Sequence, residues 1–458
     1  MEQDEERGLK EKQFVKMTET PVEKLVATLA VPTVISMLVT NIYNLVDTAF
    51  VGKLGNSASG AVGVVFGYMA ILQAVAFMCG QGAGSIMSRS LGNRDNETAT
   101  RYTSTGFFMS FLLGALIGIG SFVCLDTLVY KLGSTATIAP YAKSYITWII
   151  LAAPFMSSSL TLNNLLRYEG RAKLGMCGLM VGAVLNIGGD AALIFGCKLG
   201  IAGAGISTAF SQIVSFLILL GMFLSGKTQT KIRISCVDIH LKTVGNIIAT
   251  GFPSLLRQAL NSIATIILNS SAAAYGDAAV AAMSIVSRIN FFMMALAIGI
   301  GQGFQPVSGF NYGAGKYDRV KKAFWFCFKS STVFLLAVSA LGFVFAPQLV
   351  ALFRDDPEVI AIGAAALRFQ CLTFAAHGWV VMSNMMLQTI GRTVPATFLA
   401  MARQGIFFIP MVWILSSVLG LLGIQMTQMI SDLLTLACSI PIQLHTLRTL
   451  ERQDAPSL

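Results

Sequence analysis

The sequence has few charged residues, and its cysteines follow no metal-binding spacing. Of 458 residues, 12% are charged and only three are histidines. A soluble globular protein carries about 25% charged residues, so this composition excludes an ordinary water-exposed fold. The eight cysteines are scattered without a Cys-X-X-Cys pair, and most lie in apolar runs, where a thiol behaves as a small hydrophobic group. We therefore expect neither a disulfide framework nor a structural metal site.

Motifs for nucleotide hydrolysis and for catalysis are also missing. The glycine-rich segment Gly80-Gln81-Gly82 is not followed by Lys-Ser/Thr, as a phosphate-binding loop requires. There is no nucleophile elbow and no zinc-binding helix motif. The net charge of +10 is spread between apolar runs and forms no basic domain for nucleic acid. We expect no enzyme, no cofactor and no nucleic-acid partner.

Long apolar runs dominate what is present. Hydrophobic residues make up 55% of the chain, and runs of about 20 apolar residues are long enough to cross a bilayer as helices. We predict an all-α integral membrane protein with twelve transmembrane helices. The predicted spans are 25–50, 58–86, 102–125, 138–162, 172–196, 201–225, 244–274, 278–308, 322–346, 358–386, 393–418 and 420–446.

Lysine and arginine are concentrated in every second connection. The N-terminal segment and the even-numbered links are basic, whereas the link that contains Asp355 and Asp356 is net acidic. Basic links remain in the cytoplasm, so both termini are predicted to be cytoplasmic in a multi-pass protein of the plasma or inner membrane. The predicted parts are an N-terminal segment, an amino lobe, a cytoplasmic linker, a carboxy lobe and a C-terminal tail, at 1–24, 25–225, 226–243, 244–446 and 447–458.

The second half of the sequence repeats the first at a spacing of 221 residues. Pro32 recurs as Pro253, and Gly80-Gln81-Gly82 recurs as Gly301-Gln302-Gly303. Each copy holds six spans, an even number, so both copies have the same orientation in the membrane. Two six-helix lobes related by a pseudo-two-fold axis along the membrane normal are therefore predicted, as in transporters built from parallel repeats.

Two acids inside predicted spans lie at similar depth. An ionised side chain in the hydrocarbon core costs about 2.5–3.5 kcal/mol on insertion scales, so such residues suggest function. Asp47 lies five residues before Gly52, and Asp190 lies six residues before Gly196. At the helical rise, both are within about 10 Å of the outer helix ends.

Polar side chains lie close to both acids. Tyr43 is one helical turn before Asp47, and Asn186 is one turn before Asp190. Thr208 is about 10 Å into span six from the same side. Carboxylate, amide and hydroxyl oxygens suit a proton or a hard cation such as Na⁺. The alternative is that each acid only ties helices together through buried hydrogen bonds.

The repeat distinguishes the two halves at these positions. The equivalent of Asp47 is Leu268, and that of Asp190 is Met411, or Pro410 if the one-residue deletion between the copies falls earlier. We therefore predict that the first half holds the coupling cation and that the second half shapes the substrate cavity, although its Met and aromatic side chains are also usual packing residues. The predicted cavity residues are Arg257, Asn261, Met283, Phe291, His377 and Asn384.

Several segments resemble the multidrug and toxic compound extrusion (MATE) family, in particular its MepA-like and DinF-like bacterial branches. They include the region from Pro32 to Gly55, the Asn186–Gly196 segment, and the region that begins with Gly301-Gln302-Gly303. The resemblance implies a secondary antiporter that exports cationic or amphipathic organic compounds in exchange for H⁺ or Na⁺. It also implies a cation site at Tyr43, Asp47, Asn163, Asn186, Asp190 and Thr208. The predicted spans place Asn163 near the cytoplasmic end of span four.

Other functions remain open from the sequence. A lipid-linked precursor flippase of the same superfamily would share two lobes, but should have a strongly cationic central cavity and often extra spans. An intramembrane enzyme would need a catalytic set, and a channel would form an oligomer around a pore. We expect a monomeric transporter whose partners are small organic compounds and the lipid bilayer.

Overall fold

The computed structural model describes residues 2–454, and these residues fold almost entirely into helices. Apolar sequence in a bilayer forms helices because each backbone N–H and C=O must be paired internally. Across residues 2–454 no β-strand is present, which confirms the all-α prediction. The helices of the first half are α1 (Glu2–Glu19), α2 (Val22–Gly52), α3 (Asn56–Gly92), α4 (Asn96–Val123), α5 (Leu125–Lys131), α6 (Ala139–Tyr168), α7 (Ala172–Asp190) and α8 (Gly200–Leu224).

The second half repeats this order of elements after a short 3₁₀ turn, Ile234–Cys236. Its helices are α9 (Leu241–Ala273), α10 (Asp277–Gly313), α11 (Tyr317–Val344), α12 (Ala346–Ala351), α13 (Pro357–Phe374), α14 (His377–Thr389), α15 (Thr393–Met401), α16 (Phe408–Leu419) and α17 (Leu421–Asp454). Two six-residue π-helical segments interrupt this pattern, Ala191–Gly196 after α7 and Ala402–Phe407 between α15 and α16.

Eleven helical stretches in the described chain are long and apolar enough to cross a membrane. Predicted span seven corresponds to α9, which has 33 residues, but polar side chains such as Arg257, Gln258 and Asn261 lower its hydropathy. Predicted span ten is divided into α13 and α14, with Ala375 and Ala376 between the two helices. The short helices α5 and α12 were not predicted, because each is far shorter than a membrane span.

The chain forms two compact units. Within the described residues, unit 1 consists of residues 2–19 and 35–255. Its apolar core includes Tyr68, Leu72 and Ile146. Glycines bring its helices close together, as is usual between helices in membranes. A Cβ atom on Gly114 of α4 would lie 2.9 Å from the carbonyl oxygen of Ala153 on α6.

Within the described residues, unit 2 consists of residues 20–34 and 256–454. Its apolar core includes Met283, Leu335 and Phe374. Small residues again permit close packing, since a Cβ atom on Gly301 of α10 would lie 2.4 Å from the Met385 sulfur on α14. Unit 2 thus has its own core and can be described by itself.

The boundaries of the units fall inside two helices. The start of α2, up to residue 34, belongs to unit 2, and the start of α9, up to residue 255, belongs to unit 1. Each boundary lies two residues after a proline, Pro32 in α2 and Pro253 in α9. These unit boundaries differ from the predicted domain boundaries, which assign α2 to the amino lobe and α9 to the carboxy lobe.

The repeated Gly-Gln-Gly motif explains how the exchanged helix segments are held. In unit 1 a Cβ atom on Gly82 would lie 2.2 Å from the Ile247 carbonyl oxygen of α9. Ser254 of α9 also donates a hydrogen bond to Gln81 Oε1, at 2.6 Å. In unit 2 a Cβ atom on Gly303 would lie 2.4 Å from the Ala30 Cα atom of α2. Both copies therefore need glycine where a helix of the opposite half of the sequence packs.

The segment that links the two halves of the sequence packs onto unit 1. The buried Glu169, which follows α6, accepts hydrogen bonds from the Gln229 backbone N–H and from the Thr230 hydroxyl. Arg171 lies 3.4 Å from the same carboxyl group. Burial raises the pKa of Glu169 to about 7 although these partners oppose the shift. The predicted linker, 226–243, is thus anchored at a buried acid.

Candidate functional site

Asp47 and Asp190 meet inside unit 1. Asp47 lies on α2 and is 9% exposed, and Asp190 ends α7 and is fully buried. Their carboxyl groups lie close enough to interact with each other. The shared depth that the sequence predicted for these two acids therefore corresponds to direct proximity.

Neighbouring helices supply polar groups to the two acids. The Tyr145 hydroxyl of α6 donates a hydrogen bond to Asp47 Oδ2 at 3.3 Å. The Asn186 amide donates to the Thr208 hydroxyl of α8 at 3.2 Å. The cluster thus draws side chains from α2, α6, α7 and α8. We call Asp47, Tyr145, Asn186, Asp190 and Thr208 the carboxylate cluster.

Close packing of α7 and α8 fixes part of this cluster. A Cβ atom on Gly189 would lie 2.5 Å from the Ser207 hydroxyl oxygen, so only glycine leaves room for Ser207 at this contact. Ser207 then donates to the Asn186 carbonyl oxygen at 2.9 Å. Asp190 itself stands where α7 passes into the π-helical segment Ala191–Gly196. Such segments occur frequently at functional sites.

The carboxylate cluster has more acceptors than donors. Four buried oxygens take no hydrogen bond from any group in the described chain, namely Asp47 Oδ1, Asn186 Oδ1 and both Asp190 oxygens. A buried acceptor without a donor costs free energy, so the arrangement favours a bound proton or a hard cation. Among the residues described, no group of three or more His, Cys, Asp or Glu side chains forms a metal cluster.

The remaining predicted cation-site residues differ in position. Tyr43 lies near Asp47 and beside Gln212 of α8, so it borders the cluster. The Asn163 side chain instead packs on Gly175, with its Nδ2 atom 2.8 Å from where a Cβ would be. Gly175 precedes Asp190 on α7 by fifteen residues, about 22 Å along the helix. The structure therefore places Asn163 outside the cluster, as its position near the cytoplasmic end of span four had indicated.

Sequence reasoning missed Tyr145. Predicted span four begins outside at residue 138, so Tyr145 is about 10 Å deep, the depth used to group the two acids. The same depth argument applied to every polar residue of spans four and six would have found Tyr145 and Ser207.

Unit 2 contains a cavity of about 140 Å³. Four of the six predicted cavity residues line it, Arg257, Asn261, Phe291 and Asn384. Leu268, the counterpart of Asp47, also lines it. These four predicted residues therefore lie around one cavity of unit 2.

Two predicted cavity residues lie elsewhere in unit 2. Met283 is 1% exposed and belongs to the apolar core, because its position on α10 faces packed helices. His377 is buried at the start of α14 with its Nε2 atom 3.4 Å from Asp432 Oδ2. Neither of these side chains lines the cavity of about 140 Å³.

Asp432 on α17 is the centre of a second polar network. Arg403 Nε donates to Asp432 Oδ1 at 3.0 Å, and Gln428 Nε2 donates to the same oxygen at 2.8 Å. Asp432 thus has an ion pair with Arg403 and two hydrogen bonds at Oδ1, whereas neither Asp190 oxygen accepts a hydrogen bond from a described residue. The partners of Asp432 on α14 and in the π-helical segment were not predicted from the sequence.

The fold and the buried polar groups together indicate the class of protein to which this chain belongs. A duplicated bundle of membrane-spanning helices, with polar clusters buried inside each unit, is the architecture of a polytopic membrane transporter. The MatE family model matches residues 32–191 and 253–414. The matched blocks begin at the two positions that the 221-residue repeat relates, Pro32 and Pro253. The chain belongs to the MatE family.

Relatives of known name and structure extend this result over nearly the whole chain. Multidrug export protein MepA of Staphylococcus saprophyticus is 26% identical over 425 residues, 93% of this chain and 94% of that protein. MepA of Staphylococcus aureus strain MSSA476 is 27% identical over 431 residues, with the same coverage. A crystal structure of a MATE protein in complex with MaL6 has a TM-score of 0.90 at 26% identity, covering 96% of this chain and 99% of the other.

Proposed function

We propose that this protein is a secondary antiporter that exports cationic or amphipathic organic compounds in exchange for H⁺ or Na⁺. The named relatives are multidrug export proteins, and a further similar structure is an outward-facing multidrug resistance MATE transporter. The coupling cation binds at the carboxylate cluster of unit 1.

The four unpartnered oxygens of the carboxylate cluster carry this proposal. Two acids with so few donors are poorly satisfied unless a proton or a cation joins them. Binding and release of that cation changes the charge of a buried site, and a carrier couples such a change to its conformation. Unit 2 has a different arrangement, because Leu268 replaces Asp47 and the single acid Asp432 accepts two hydrogen bonds at Oδ1, from Arg403 and Gln428.

Orientation and location follow from charge. The basic links are proposed to face the cytoplasm together with both termini, in the cell membrane. The cavity of unit 2 contributes to the path of the exported compound, with Arg257, Asn261, Phe291 and Asn384 on its wall.

Neutral variants of the two acids test the coupling role. We expect Asp47→Asn and Asp190→Asn each to abolish gradient-driven ethidium efflux in a pump-deficient host, because the amide holds neither a proton nor a cation in place of the carboxylate. Membrane abundance should remain comparable to that of the unmodified protein. Asp126→Asn is the matched control, since Asp126 is exposed on α5 of the same unit.

The energy source is measured in the same assay. Efflux should collapse with an uncoupler if H⁺ is the coupling ion, or on Na⁺ removal if Na⁺ is. Full efflux by both variants would contradict the role of the two acids, and efflux indifferent to both gradients would contradict antiport.

A further inference from the structure

The charged lining of the unit 2 cavity has one sign. Arg257 of α9 and Arg403 of the π-helical segment line it, and no Asp, Glu or Lys does so in the described part of unit 2. Opposite charges attract strongly where water is excluded. An organic cation would meet two guanidinium groups on the cavity wall, and only Arg403 has a carboxylate, Asp432, behind it. An organic anion would meet a hydrogen-bond donor on each arginine.

Arg403 has donor groups left for a ligand. Its Nε atom donates to Asp432 at 3.0 Å, and its two Nη groups make no hydrogen bond within the described residues. The side chain is 17% exposed and lines the cavity. A guanidinium fork of this kind matches the two oxygens of a carboxylate.

Polar groups on α17 fix the position of Arg403. Asp432 is 3% exposed, and Gln428 donates to the same Asp432 oxygen as Arg403 does. The Ser431 hydroxyl donates to the Arg403 backbone carbonyl, which the π-helical segment presents. Because hydrogen bonds hold both the backbone and the Nε atom of Arg403, its two Nη groups are preorganised to bind a ligand.

Arg257 is held at a second point of the same cavity. Its Nη1 atom donates to Asn384 Oδ1 at 3.1 Å. The Asn384 amide in turn donates to the Ala396 carbonyl oxygen at 2.7 Å, which fixes the orientation of the amide. Both arginines are therefore anchored by protein groups while they face the cavity.

The rest of the wall is suited to an apolar body. Leu268, Phe291, Met294, Ile298 and Phe408 line the cavity beside the polar groups. Drug-sized sites span about 300–1,000 Å³, so a cavity of about 140 Å³ accommodates the charged end of such a ligand. A bare inorganic anion would leave these apolar side chains without a partner.

We propose that unit 2 recognises amphipathic organic compounds that carry a carboxylate, including zwitterions, and that Arg257 and Arg403 bind this carboxylate. This inference deepens the proposed function, on which it rests, by naming a chemical class among the exported compounds. Carboxylate recognition separates compounds that share the same apolar and cationic parts.

A matched pair of dyes tests the proposal. A rhodamine with a free benzoic acid and the methyl ester of the same dye share a cationic ring system and differ only in the carboxylate. Binding to the full-length protein in nanodiscs is measured by fluorescence anisotropy. The acid should bind about tenfold more tightly than the ester, because hydrogen bonds to charged groups are the stronger ones.

Variants of the two arginines test whether these residues produce the preference for the acid. Arg257→Gln and Arg403→Gln should each reduce the acid-to-ester preference towards unity while the affinity for the ester changes little. Arg288→Gln is the matched control, since Arg288 is exposed on α10 and does not line the cavity. If Arg403→Gln misfolds because Asp432 loses its partner, the double variant Arg403→Gln/Asp432→Asn removes both charges of the pair and replaces it.

Three results would overturn the inference. They are an ester that binds as tightly as the acid, no measurable binding of the acid, or a preference for the acid that persists in both arginine variants. Binding requires no ion gradient, so its failure is distinguishable from failure of the proposed antiport. If ethidium efflux depends on Asp47 but the acid is not preferred, the antiport proposal is supported and carboxylate recognition is not. If the acid is preferred but efflux does not depend on Asp47, carboxylate recognition is supported and the coupling role of Asp47 is not.

Discussion

Tyr145 donates the hydrogen bond that holds Asp47 Oδ2. Without the phenol hydroxyl, this oxygen would join the other acceptors of the carboxylate cluster that lack a donor. One hydrogen bond contributes about 0.5–1.5 kcal/mol net, so its loss affects the cation site without destroying the fold.

We predict that Tyr145→Phe raises the concentration of coupling cation needed for half-maximal efflux by about two- to tenfold, because Asp47 is held less rigidly. The measurement is the rate of ethidium efflux against the concentration of the coupling ion. Tyr141→Phe is the control, since Tyr141 lies on the same helix with its side chain 43% exposed. Equal half-saturating concentrations in the Tyr145 and Tyr141 variants would remove Tyr145 from the site.

The sequence predicted some residues of the carboxylate cluster and missed others. Asp47 and Asp190 stood out because acids inside apolar runs are rare, and depth placed Asn186 and Thr208 beside them. Tyr145 gave no such signal, since a tyrosine near a helix end is also usual at a membrane interface. Asn163 entered through family resemblance alone, and its side chain contacts Gly175, away from the carboxylate cluster.

Helix packing in unit 1 depends on individual glycines, and α4 provides a matched pair. A Cβ atom on Gly114 would lie 2.2 Å from the Ser157 hydroxyl oxygen and 2.9 Å from the Pro154 Cα atom of α6. A Cβ atom on Gly120 of the same helix would meet nothing within 4 Å.

We predict that Gly114→Ala destabilises the protein by about 1–3 kcal/mol through overpacking between α4 and α6. Gly120→Ala should be neutral or stabilising by about 0.5–1 kcal/mol, since alanine favours helix. Thermal unfolding of both variants in the same detergent provides the measurement. Equal unfolding midpoints for the two variants would contradict the close contact.

The ends of helices could be predicted where polar links interrupt the apolar sequence, but not where the sequence continues without such a link. Span boundaries followed polar links, and the order of spans was confirmed by the helices. The sequence carries no signal for the π-helical segments at Ala191–Gly196 and Ala402–Phe407, because one additional residue in a helical turn does not interrupt a segment that is long enough to span the membrane. The interruption at Ala375 and Ala376 was hidden for the same reason.

At the scale of the whole molecule, Glu169 connects the linker to unit 1. Burial raises its pKa from 4.5 to about 7. The folded protein therefore holds a proton between about pH 4.5 and 7 that the unfolded chain has lost. The resulting stabilisation is complete below the unfolded pKa and is lost as pH rises through the folded value.

We predict that this titration accounts for a fall in stability of ~3 kcal/mol between pH 4 and pH 8. The Glu169→Gln variant should lack this component, because its amide does not titrate. The measurement is the thermal unfolding midpoint against pH for the unmodified protein and for Glu169→Gln, with the exposed Glu451→Gln as control. A variant with the same pH dependence as the unmodified protein would exclude Glu169 as its source.

The exchanged segments of α2 and α9 have a consequence for biogenesis. Unit 1 needs residues up to 255, which the ribosome releases only after the first half and the linker have been made. Unit 2 in turn needs residues 20–34, which are synthesised long before the rest of it. Neither half of the sequence can therefore complete its own bundle during translation, and two gene fragments divided at the linker should mature only when both are present in the same membrane.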